Sequence, residues 1–62
     1  MNKITYWTVR TAVIGGCAKD LYFRYYVNAK EESKKPYRDK PVKHTVKMCH
    51  YAELLAVVEF ED

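Results

Sequence analysis

The chain has 62 residues, 48% hydrophobic and 15% aromatic, with 11 Lys and Arg against 8 Asp and Glu for a formal net charge of +3. That hydrophobicity excludes an intrinsically disordered chain, and the length excludes more than one small core, because a domain of this size buries only about 60% of the surface its unfolded form exposes. Met1 to Arg10 contains no apolar region of a signal peptide, and no apolar run approaches the roughly 20 residues of a membrane span, so a cytoplasmic protein without a membrane role is expected.

A single domain over residues 1–62 follows from this reading. Domains this small draw stability from disulfides, a metal or a partner. In a reducing compartment Cys17 and Cys49 read as free thiols. The charge is unevenly spread. Lys30, Lys34, Lys35, Arg38, Lys40, Lys43 and Lys47 make the middle of the chain basic, whereas from residue 48 onward Glu53, Glu59, Glu61 and Asp62 stand without any Lys or Arg. Such asymmetry steers partners.

The first element is a strand over residues 3–14, rich in Thr, Val, Ile, Tyr and Trp. Alternation places Thr5, Trp7, Val9, Thr11 and Val13 on one face and Ile4, Tyr6, Thr8, Arg10 and Ala12 on the other. Trp7 is the largest single burial on offer and belongs in the core. Gly15 and Gly16 then read as a hairpin turn, since the further glycines or following Lys and Ser/Thr of a phosphate loop are missing.

The second strand, residues 21–28, carries the densest aromatic run. Leu21, Phe23, Tyr25 and Val27 share one face, and Tyr22, Arg24, Tyr26 and Asn28 the other. Paired as a hairpin with Trp7 and Phe23 inward, the two strands gather Tyr6, Arg10, Tyr22, Arg24 and Tyr26 on one basic-aromatic face. Bases stack on such rings while phosphates meet the cations. The competing reading, given more weight, is that tyrosine is common in strands and that the C-terminal segment or solvent covers this face.

Residues 29–41 read as an exposed, mobile basic connector with one or two helical turns, capped by Asn28 with Glu31 three residues on and stopped by Pro36. Strand three is residues 42–49, with Val42, His44, Val46 and Met48 opposed to Lys43, Thr45, Lys47 and Cys49. For the final segment a strand over 56–61 is preferred, with Ala56, Val58 and Phe60 inward, although Tyr51, Leu54, Leu55 and Val58 also satisfy a helical spacing.

No catalytic constellation is visible. Ser33 lies in a charged connector without an elbow motif, and Cys49 and His50 are strand neighbours that point apart. Cys17, His44, Cys49 and His50 lack the paired spacing of a zinc site, so neither metal nor cofactor is expected. His44 reads as a semi-buried partner of a tyrosine or a backbone carbonyl. The acids Glu53, Glu59, Glu61 and Asp62 read as solubilising charges or as mates for the lysine-rich connector.

The expected fold is mainly β with a small α+β character: a three- or four-stranded antiparallel meander with a short helix in the connector. The expected function is non-enzymatic, an interaction protein that binds and modulates or inhibits a larger host protein or complex. Small, motif-free, tyrosine-rich chains of this kind are common among accessory proteins of phages and mobile elements, a likeness of size and character that no motif carries. The alternative is a module for RNA or single-stranded DNA. Binding residues on either reading are Tyr6, Arg10, Tyr22, Arg24, Tyr26, Lys34, Lys35, Arg38, Lys43 and Lys47. A sheet this small also leaves a face for a second copy or partner to cover.

Overall fold

Nine residues of alternating β-branched, aromatic and polar character, Lys3–Thr11, form the strand β1 on which everything else is laid. The computed structural model describes residues 2–12 and 16–62. Within them β1 is followed by β2 (Lys19–Phe23), α1 (Tyr26–Ser33), β3 (Val42–Lys47) and α2 (Met48–Val57). The sheet is antiparallel with β1 in the centre, in the order β2-β1-β3. The expected class is therefore seen, a small antiparallel sheet with short helices, but β2 and β3 sit on opposite sides of β1 and are not neighbours as in a meander. The expected continuation of strand one through 13 and 14, and Gly15 of the glycine pair, lie outside the described residues.

Register fixes the two faces. Trp7 stands opposite Phe23 and Val9 opposite Leu21, so the odd-numbered residues of β1 form one layer with β2. On that layer α1 packs, and the buried core is Val9, Phe23 and Ala29 with Trp7 and Leu21 at its margin. Trp7 is thus half-buried at the edge of the core and does not fill its centre. The small side chain of Ala29 is what lets the helix approach Val9 and Phe23 closely.

The second strand ends at Phe23, five residues before the expected limit of 28. Tyr25, expected on the inward face of a strand, is instead the residue that precedes the first turn of α1, and Tyr26, Val27 and Asn28 are helical. The run Ala-Lys-Glu-Glu within α1 has high helix propensity, and Ala29 finds a core to enter, so the helix extends back into the aromatic run. Asn28 does not cap it. The free N–H groups of Arg24 and Tyr25 donate to the Asp62 carboxylate at 2.8 and 3.0 Å, and Asn28 Nδ2 donates to the same group at 3.0 Å. An acid from the other end of the described chain thus supplies the negative charge that a helix N-terminus favours.

The connector is tied down and does not hang free. Glu32 accepts from Lys35 Nζ at 3.0 Å and from Arg38 Nε at 2.8 Å. Beyond it, Ala12 N donates to Tyr37 O and Asp39 N to Arg10 O, each at 3.0 Å, which lays the segment beside the end of β1. Tyr37 takes a left-handed backbone there, with φ of 61°.

The strand expected over 56–61 is absent, and strand three stops at Lys47 rather than at Cys49. In their place stands α2, 10 residues with two Ala and two Leu among them, whose less exposed residues Tyr51 and Leu54, followed by Val58, fall at helical spacing. Its start is held by Met48 N donating to Asn2 O at 2.8 Å. After it the chain runs extended, with Phe60 bridging in parallel to Tyr22 and Glu61 N donating to Tyr22 O at 2.8 Å.

Candidate functional site

The even-numbered face of the sheet, read from the sequence either as a tyrosine-arginine binding surface or, with more weight, as a face covered by the C-terminal segment or solvent, is occupied from within by Phe60 of that segment. Tyr6 is 9% exposed. Its ring stacks on His44 with centroids 4.9 Å apart, and the Phe60 ring meets Tyr6 at 6.0 Å, Tyr22 at 5.9 Å and Tyr51 at 5.7 Å. The Arg24 guanidinium lies over Phe60 at 5.2 Å, in the cation–π position. His44 Nε2 and Thr8 Oγ1 are hydrogen-bonded at 2.9 Å, so His44 is held by a tyrosine ring and a hydroxyl. Burial, with Tyr22 nearby adding to it, raises the Tyr6 phenol above its ordinary value. A neutral, ring-packed Tyr6 is a core residue.

The ten expected binding residues therefore scatter. Tyr6, Tyr22 and Arg24 converge on Phe60. Arg10 is paired with Asp20 at 3.2 Å. Tyr26 lies on the opposite layer, its ring 5.8 Å from Trp7 and half its surface exposed. Lys34 closes the C-terminal end of α1, while Lys35 and Arg38 are engaged by Glu32. Lys43 and Lys47 stand on the odd-numbered face, opposite Trp7 and Lys3. Sequence reasoning missed Phe60 as the centre of the aromatic cluster and Asp62 as the acid that holds the entry to α1; neither leaves a local signal, because Tyr22 and Phe60, and Arg24 and Asp62, are each 38 positions apart.

Exposed apolar surface gathers at two places, Tyr25, Tyr26 and Val27 at the start of α1 and Met48, Leu55 and Val57 on α2. Only His50 and Glu53 are polar in this helix, yet none of its residues is buried. Met48 is 47% exposed, Leu55 42% and Val57 77%. Met48, Ala52 and Leu55, spaced i, i+4 and i+7, form one stripe with Cys49 and Ala56 beside it. Where α2 leaves the sheet, a shallow apolar groove is lined by Asn2, Lys3, Lys47, Met48, Cys49 and Ala52. A helix this apolar is normally packed on more than one side; α2 has a sheet on one side and solvent on the rest.

The molecule as a whole is open. Its radius of gyration is 12.2 Å, where about 10.6 Å is usual for this length. Its accessible surface is 4848 Å², where about 4,200 Å² is usual for this mass. Both excesses agree with a core of few residues and a helix only half packed.

Cys17 and Cys49 are both exposed free thiols. Among the described residues no three His, Cys, Asp or Glu side chains are gathered as metal ligands would be, and no helix is long and apolar enough to cross a membrane. Comparison with protein-family models, with curated proteins and with solved structures finds no significant match.

Proposed function

We propose that this chain is a non-enzymatic interaction protein of the cytoplasm that docks α2 into an apolar groove of a larger protein and so modulates or blocks it. The observation that carries the reading is the unburied apolar stripe Met48, Ala52 and Leu55 on a helix with no other cover. Anchors at i, i+4 and i+7 are how an amphipathic helix is read by a groove. Removing the exposed parts of Met48 and Leu55 from water supplies about 2 kcal/mol, roughly thirtyfold in Kd. A standard footprint of about 800 Å² per partner takes in the stripe, the neighbouring groove and the rim formed by Lys3 and Lys47. The tyrosine-arginine face contributes by holding α2 in place through Tyr51 and Phe60.

The two thiols provide the test, because Cys49 sits beside the stripe whereas Cys17 lies near the other end of β1. With the other cysteine replaced by Ser in each case, a photo-crosslinker is attached to Cys49 or to Cys17 and activated in a nuclease-treated extract. A discrete protein adduct from Cys49, lost on Leu55→Glu and absent from Cys17, is expected. Equal adducts from both positions, or an adduct made only of two copies of this chain, would reject the reading.

A further inference from the structure

We infer that the half of the sheet left uncovered by α1 is a second binding site, for single-stranded nucleic acid. Helix α1 packs on β1 and β2 and makes no contact with β3. The odd-numbered residues of β1 and β3 on that side are Lys3, Thr5 and Trp7 facing Lys47, Thr45 and Lys43 in register. Tyr26, at the start of α1, borders them through its contact with Trp7. The surface thus holds three lysines, two threonines, an indole and a phenol ring, and no carboxylate from either strand.

Its three lysines share one face of the sheet. Lys3 stands directly opposite Lys47, and like charges at such cross-strand positions destabilise a sheet. Among the described residues none of Lys3, Lys43 and Lys47 enters an ion pair, although Glu32 takes two cations and Asp20 takes Arg10. Lysines on an edge strand guard against sheet-to-sheet association, which accounts for Lys43 and Lys47 on β3. At Lys3 the strand β1 is itself an edge, because β2 pairs with it only from Trp7 onward, so edge protection extends to Lys3; it does not account for the tryptophan among the three lysines. An anion laid along the two strands accounts for all four.

The ligand class follows from the mixture. Phosphates meet lysine ammonium groups and threonine hydroxyls, while bases have π-faces that stack on Trp7 and Tyr26 in a sequence-tolerant way. Lys43 and Lys47 are four residues apart, about 13 Å along a strand, so the cations track an extended backbone and do not cluster on one point charge. A duplex keeps its bases stacked inside, where neither ring reaches them; a single strand offers them. This site lies on the face opposite the tyrosine cluster and shares Lys3 and Lys47 with the rim of the groove beside α2.

Trp7 is the only tryptophan, so its fluorescence reports this site alone. The full chain is titrated with an oligothymidylate of about 15 nucleotides. Quenching of Trp7 is expected, with affinity falling with salt at a log–log slope of about −2 if all three lysines contact phosphate. Lys43→Ala and Lys47→Ala should each flatten that slope by about 0.7. Lys40→Ala, beside His44 on the other side of the sheet, should leave it unchanged. These exposed lysine variants are checked for native circular dichroism, and Trp7→Phe, read by anisotropy of a labelled oligonucleotide, should weaken binding without unfolding. Absence of quenching, equal loss on Lys40→Ala, equal quenching by heparin, or a response to anionic vesicles but not to the oligonucleotide would each overturn the inference.

Discussion

Phe60→Ala is the substitution that most directly tests how this fold is held. The ring is half-buried, so truncation forfeits about half of the 3–5 kcal/mol that a fully buried phenylalanine costs, or about 2 kcal/mol. It also removes ring contacts with Tyr6, Tyr22 and Tyr51 and the cation–π contact with Arg24. Aromatic pairs each add about 0.5–1.5 kcal/mol beyond area, and since these share one ring they are not additive; together they bring the loss to about 3 kcal/mol. A chain of this length holds about 3–9 kcal/mol in total. The substitution therefore consumes between a third and all of the stability, because Phe60 joins the C-terminal segment, α2 and the sheet at one point. Urea unfolding followed by far- and near-ultraviolet circular dichroism measures it. With a slope near 1 kcal/mol/M for a domain this small, the midpoint should fall by about 2–3 M. Glu59→Ala, at an exposed neighbouring position, should leave it within about 0.5 kcal/mol of the parent. A Phe60→Ala midpoint within about 0.5 M of the parent would refute the reasoning, and would mean that α2 stays on the sheet without its clasp.

Phe23→Ala should unfold the chain, at about 3–4 kcal/mol, whereas Trp7→Ala, at the core margin, should cost about 2 kcal/mol and leave a folded population; the opposite ranking in urea midpoints would invert the assignment of core and margin. Asp62 is pushed up by partial burial, but the hydrogen bonds from Arg24 N, Asn28 Nδ2 and Tyr25 N outweigh this and hold it below its ordinary value. Its folded pKa is thus lower than its unfolded one, so its contribution is complete above the ordinary carboxylate range near pH 4 and is lost as pH falls through the folded value. Asp62→Asn should accordingly lower the melting temperature at pH 7 and converge on the parent in acid, and a constant difference at all pH values would contradict the capping role. Glu32 follows the same sign, held down chiefly by Arg38 and then Lys35 against a smaller effect of burial, so Arg38→Ala should also weaken the fold more at pH 7 than in acid. Tyr37→Gly relieves a left-handed backbone at an exposed side chain while keeping its carbonyl bond to Ala12, so the melting temperature should rise by about 3–6 °C; a fall would show that the ring is packed.

Much of the sheet was legible in the residues themselves. The alternation from Lys3 to Thr11 separates Trp7 and Val9 from Tyr6 and Arg10, and the structure keeps that separation through both pairings. The same holds for Val42 to Lys47, where His44 and Val46 face one way and Lys43 and Lys47 the other. A period of two is a property of the strand itself, and any partner must respect it.

Tertiary contacts decided the rest. Residues 24–28 continue the strand pattern on paper, but Ala29 finds a buried place against Val9 and Phe23 only if the chain turns helical at Tyr26, and Asp62 then satisfies the N–H groups that β1 no longer takes. Residues 48–57 fit a strand or a helix by pattern, since a short apolar run has no period of its own. The helix prevails because it lays Tyr51 and Leu54 toward the sheet and brings Phe60 beneath Tyr6 and Tyr22. That choice closed the tyrosine-arginine face and exposed a different one. Sequence determined which residues share a face of each strand, because that is local geometry; which face meets solvent depended on where the two helices came to rest, because burial is decided by contacts between segments far apart in the chain.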